Sequence, residues 1–137
     1  MGTGPTSLLA RLFKPRAAIL MSPYTTIKDV AKNMVGFLSF LVADHFNNKE
    51  MMKKVKCPTF MIHGEADTLI PSTHSHQLFE TLLNQRDFEK DNLDESNFAH
   101  LQYCDVRFNK EMTHNDFNLL NDIFNPIKEF LGNCDMF

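Results

Sequence analysis

The absence of tryptophan decides nothing, but the other shortages in this chain narrow the field. Its three cysteines, Cys57, Cys104 and Cys134, lack the paired spacing of a metal motif. An odd number in a small chain argues for reduced thiols in a cytosolic setting rather than a disulfide scaffold. Lys and Arg total 14 against 17 Asp and Glu, a net charge of −3, and no basic run stands out, so nucleic acid is excluded as a partner. The strongly apolar run at 35–43 has nine residues where roughly 20 are needed to span a bilayer; it reads as a buried or lid helix. Met1-Gly-Thr-Gly lacks the basic start and long apolar core of a secretory signal, although Gly2 with Thr6 formally meets the myristoylation spacing. Gly2-Thr-Gly4 has neither a following Lys nor a preceding strand, so it makes no nucleotide loop. Asp91, Asp94 and Glu95 lack the Gly and the spacing of a calcium loop. Neither a metal nor an organic cofactor is called for.

What is present is a folded domain. At 137 residues and 43% apolar composition, the chain is long enough for one real core and too hydrophobic for disorder. There are no internal repeats and no domain boundary, so residues 1–137 form a single unit. Pro5 suits the first turn of a helix over residues 2–13, which then shows a helical apolar pattern. A short buried strand is expected at 16–22, closed by Ser22-Pro23. Residues 24–46 read as mostly helical, and 47–56 as a polar helix turn or linker.

The densest stretch follows: Phe60-Met-Ile-His-Gly-Glu-Ala-Asp-Thr-Leu-Ile-Pro71. Its apolar start reads as a strand buried on both faces, ended by His63 and Gly64. A helix over 72–84 comes next, with His76, Leu78, Phe79, Leu82 and Leu83 available inward. Residues 85–97 are charged and asparagine-rich and read as a solvated loop. A third strand is expected at 98–107, a polar turn at 111–116, and a terminal helix at 117–131, interrupted near Asn125-Pro126 and stopped by Gly132. Alternation of this kind predicts an α/β fold: about three parallel strands flanked by helices.

Two residues stand where such sheets collect their chemistry. Asp67 follows the second strand and His114 the third, so both lie at carboxyl ends of neighbouring strands. A carboxylate there can hold an imidazole in the tautomer a general base needs. Other candidates carry blander readings. His63 is a packed or hydrogen-bonded core histidine rather than a base. His74 and His76, two apart on a helix, point in different directions, make a poor metal pair, and read as helix surface. His45 and His100 have no evident partner. Asp116 is placed to cap the last helix. Ser22 and Ser7 make poor nucleophiles; at Ser22, Pro23 follows and no helix starts as a nucleophile turn requires.

Taken together, Met1-Gly-Thr-Gly-Pro-Thr-Ser7, Ala18-Ile-Leu-Met-Ser-Pro23, the block from Cys57 through His-Gly-Glu-Ala-Asp-Thr-Leu-Ile-Pro71, and Thr113-His-Asn-Asp116 resemble the C-terminal half of an α/β-hydrolase. The resemblance is to the serine aminopeptidase-like and palmitoyl-protein thioesterase-like branch. The order acid then histidine is that of the family, whose nucleophile precedes both in Gly-x-Ser-x-Gly. Met1-Gly2 looks like the last two residues of that motif. The resemblance therefore implies a partial α/β-hydrolase domain, truncated just after its serine. It implies Asp67 as triad acid, His114 as base, and the Met1 backbone N–H as an oxyanion donor. Substrates would carry ester, thioester or amide bonds, as in an esterase or thioesterase, with a lean toward a lipophilic acyl group. Membrane association would come only through the missing N-terminal part. The alternative is a non-catalytic α/β binding or interaction module.

Overall fold

The computed structural model describes residues 2–36, 46–90 and 103–134. Among them, three strands form one parallel sheet in the order β1 (Ala18–Met21), β2 (Thr59–Gly64), β3 (Cys104–Asn109). β2 is central and buried along its whole length, as its apolar sequence requires. The register aligns Leu20 with Met61 and Met61 with Val106. Because side chains alternate between faces, this row points to one side, while Ile19, Met21, Phe60 and Ile62 point to the other.

Each face is covered by helices. Leu20, Met61 and Val106 pack with Ala10 of α1 (Thr3–Phe13), Met52 of α3 (Asn48–Met52), and Leu78 and Leu82 of α4 (Thr73–Lys90). The opposite face packs Phe60 and Ile62 against Phe130 of α5 (Asn125–Asn133) and Ile123 of the π-helical turn Leu119–Phe124 that leads into it. Phe60 and Phe130 stack with centroids 4.9 Å apart, worth about 0.5–1.5 kcal/mol beyond the area buried. The three-layer arrangement is the expected α/β fold.

Several expectations need correction. The helix expected at 24–46 begins only at Ile27 (α2, Ile27–Val35), because Thr26 adopts extended backbone and caps it through the Asp29 amide. Residues 37–45, with most of the apolar 35–43 run, lie outside the described residues. Residues 85–90, expected as loop, continue α4; Arg86 is buried and donates to the Cys57 carbonyl, so tertiary contact extends the helix. Leu83 and His76 are exposed rather than inward. The third strand is described from Cys104 and continues to Asn109, beyond Arg107. Asn118, not Asp116, caps the last helical region, accepting from the Leu120 and Asn121 amides.

Two features bring the strand ends together. All three strands run the same way, so Ser22, Gly64 and Asn109 open onto one edge of the sheet. At Gly64 a side chain is impossible, because an added Cβ would overlap the Met112 carbonyl. That close approach sets the turn after β2 against the turn after β3.

Candidate functional site

The turn after β2 is built around Asp67. Its Oδ1 accepts from the amides of Leu69 (2.9 Å) and Ile70 (2.8 Å), a local closure that folds the carboxylate back on its own loop. Its Oδ2 accepts from His114 Nδ1 at 2.8 Å. The Asp67 side chain is wholly buried, whereas that of His114 is 31% exposed. Burial alone would push the Asp67 carboxyl up. The Ile70 amide, the His114 hydrogen bond and charge, and the Leu69 amide reverse this and hold it below the ordinary carboxylate value.

His114 sits in a turn closed on itself. The Thr113 amide donates to the Asp116 carbonyl, and the Asp116 amide donates back to Thr113 Oγ1. Asp122 anchors the far end of this segment, accepting from Asn109 Nδ2 and from the Asn118 amide. With Nδ1 committed to Asp67, Nε2 is the nitrogen left for proton transfer.

Behind the pair lies His63, fully buried. Its Nε2 stands 2.8 Å from the Ile70 carbonyl, which can only accept, so Nε2 carries the hydrogen and Nδ1 accepts from Ser75 Oγ–H. Burial lowers its pKa despite the Ile70 carbonyl and Asp67, so the ring stays neutral. A continuous path results: Ser75 holds His63, His63 holds the Ile70 carbonyl, the Ile70 amide holds Asp67, and Asp67 holds His114. The reading of His63 as a hydrogen-bonded core histidine therefore stands. The path itself has no sequence signal, because Ser75 and Ile70 act through residues distant in the motif.

His74 departs from the surface reading. It is buried, with Nδ1 2.8 Å from Thr25 Oγ1, and Thr25 donates to Asp29 Oδ2 at 2.7 Å. His76 does lie at the surface, stacked on Phe108 with centroids 3.9 Å apart. Met1, His45 and His100 lie outside the described residues. Among the described residues there is no group of three side chains able to hold a metal, and no helix is long and apolar enough to cross a membrane.

A cavity of about 310 Å³ opens beside His114, lined also by Gly2, Thr3 and Thr6 of the α1 start, Met21, Ser22, Tyr24 and Ile70. The start of α1, the end of β1, the acid's turn and the base thus surround one space.

Adjacent strand ends of a parallel sheet thus deliver a hydrogen-bonded acid and histidine that face a helix N-terminus across a cavity. Residues 6–92, more than half the chain, match the family model described as Serine hydrolase (FSH1), and the chain belongs to that family. It is also 32% identical over 108 residues to the lysophosphatidylserine lipase ABHD12 of Rattus norvegicus and to that of Mus musculus. Each match takes in 64% of this chain, which spans about a quarter (27%) of the relative's length.

Proposed function

We propose that this chain supplies the acid and base of a serine hydrolase that cleaves acyl esters, with the nucleophilic serine standing immediately before Met1. The observation that carries this reading is the 2.8 Å hydrogen bond from His114 Nδ1 to the buried Asp67 carboxylate. His114 Nε2 takes the serine proton as the oxygen attacks the acyl carbon, and later returns it to the leaving group. Asp67 fixes the tautomer and stabilises the imidazolium that forms. The start of α1 faces the charge that develops on the carbonyl oxygen, and the Met1 N–H is proposed as an oxyanion donor by the family resemblance alone. The relatives' name, a lipase of a lysophospholipid, favours a lipid ester over a thioester or an amide.

The test is turnover of a short-chain and a long-chain ester by the protein in its natural full length. The parent should be active, and His114→Ala should lose nearly all turnover. The 137-residue chain alone should show no His114-dependent hydrolysis, since loss of such a serine costs on the order of a millionfold in a serine protease. Full turnover by His114→Ala would overturn the assignment of the base, and a parent that hydrolyses neither ester would leave a binding module.

A further inference from the structure

His114 reaches Asp67 from residues 110–118, a stretch that contains neither helix nor strand. Such loops are ordinarily the more mobile part of a domain, yet a working base must be held to within about half an ångström. Two side chains at the ends of the loop supply that hold. Asn109, the last residue of β3, accepts from the Glu111 amide at 3.0 Å through Oδ1. That amide can only donate, so the group facing it is the oxygen, and Nδ2 is turned to Asp122 Oδ1 at 2.6 Å. The other Asp122 oxygen accepts from the Asn118 amide at 2.7 Å. Between these fixed points Met112, buried, lays its carbonyl against Gly64.

Asn109 also faces the acid. Its backbone carbonyl accepts at 2.8 Å from the amide of Glu65, where the turn that carries Asp67 begins. One residue thus ties the start of the acid's turn, through its backbone, to both ends of the base's loop, through its side chain. Asp122 lies in the π-helical turn, a winding that is rare and frequent at functional sites. Asn118 caps that turn, and Asp122 reaches back to the Asn118 amide, so the two close on each other. Neither Asn109 nor Asp122 lines the cavity beside His114, so any effect on a substrate passes through the base.

We propose that Asn109 and Asp122 are positioning residues: their hydrogen bond sets the loop where His114 meets Asp67 at 2.8 Å. The proposal rests on the hydrolase reading for its effect on turnover, but not for its effect on His114. A displacement of about 1 Å from the productive geometry costs on the order of a hundredfold in rate.

The polarity of the clamp supplies its test. Asn109→Asp alone sets two carboxylates face to face, and Asp122→Asn alone leaves two donors for one acceptor. The exchanged pair, Asn109→Asp with Asp122→Asn, rebuilds every bond. The carboxylate then at residue 109 accepts from Glu111 and from the amide at residue 122, whose oxygen accepts from Asn118. All three are made in the full-length protein and studied well below their melting temperatures. The measurements are kcat and KM for the short-chain ester and the NMR signal of the His114 Nδ1 proton. Each single change should lower kcat about tenfold or more with KM within about threefold, and should broaden or remove the Nδ1 signal. The exchanged pair should return kcat to within about threefold of the parent and restore the signal. Leu82→Val, in the opposite core layer, should lower the melt and leave kcat unchanged. Single variants that keep both kcat and the Nδ1 signal, or an exchanged pair no better than Asn109→Asp, would overturn the proposal. If the parent hydrolyses no ester, the hydrolase reading alone fails and the Nδ1 signal decides. Its survival in Asn109→Asp would then overturn the clamp, and its loss there with return in the exchanged pair would uphold it.

Discussion

Replacing His63 by alanine should unfold the support of the candidate acid before it alters any group that could touch a substrate. The change empties a fully buried site and strands two buried partners, the Ile70 carbonyl and the Ser75 hydroxyl. Each unsatisfied group costs about 1–3 kcal/mol. The vacated volume adds to this, so a loss of about 3–5 kcal/mol is expected, a large share of the stability of a small domain. His63→Gln keeps an N–H able to reach the Ile70 carbonyl and should recover part of that loss. Ser75→Ala removes only the donor to Nδ1 and should cost about 1–3 kcal/mol. Urea melts of the three variants provide the measurement. In the ester assay proposed above, turnover of folded His63→Gln should fall far less than stability does in His63→Ala. A His63→Ala protein within about 0.5 kcal/mol of the parent, the range of an ordinary surface change, would refute the reasoning.

Other perturbations test the frame and its charges. Gly64→Ala should destabilise by several kcal/mol, because the methyl meets backbone at Met112 rather than a movable side chain; a melt unchanged from the parent would contradict the close approach described. Stability should also fall with pH in two windows. His63 and His74 are held below the ordinary histidine value of 6.5, first by burial, so the unfolded chain binds more protons there and stability declines as pH drops below about 6.5. Asp67, lowered below 3.8, contributes stability that is present above that pH and is lost as pH falls through its folded value. Thermal melts from pH 8 to 3 should show both declines, and His63→Gln should shrink the first; a flat profile between pH 7 and 5 would contradict the buried neutral histidines.

Much of this was legible in the sequence, for identifiable reasons. β2 announces itself because a central parallel strand is apolar on both faces, and Gly64 marks its end. Asp67 and His114 were readable because both follow strands, and parallel strands place their ends together. What was hidden depends on tertiary contact. The extension of α4 over 85–90 is charged and has no apolar period, and it is held by Arg86 against the Cys57 carbonyl. His74 read as surface because its partners, Thr25 and Asp29, come from a distant segment. Asp116 looked like a cap by residue type, but Asn118 stands two residues nearer the helical amides and accepts from those of Leu120 and Asn121. The left-handed backbone at Ser22 has no signal in a residue that ordinarily avoids it.

The central claim is that Asp67 acts by holding His114 in its working tautomer. The most direct measurement is ester turnover by the full-length protein carrying Asp67→Asn, with a melt to show that it remains folded. The amide presents a donor or an acceptor in nearly the same place but no charge, so His114 loses both its fixed tautomer and its counter-charge. The expected loss is on the order of ten-thousand-fold in kcat, as the corresponding change costs a serine protease. Adding His114→Ala to Asp67→Asn should cost little more than His114→Ala alone, because the two act as a unit. A folded Asp67→Asn protein with turnover within a few-fold of the parent would contradict the account.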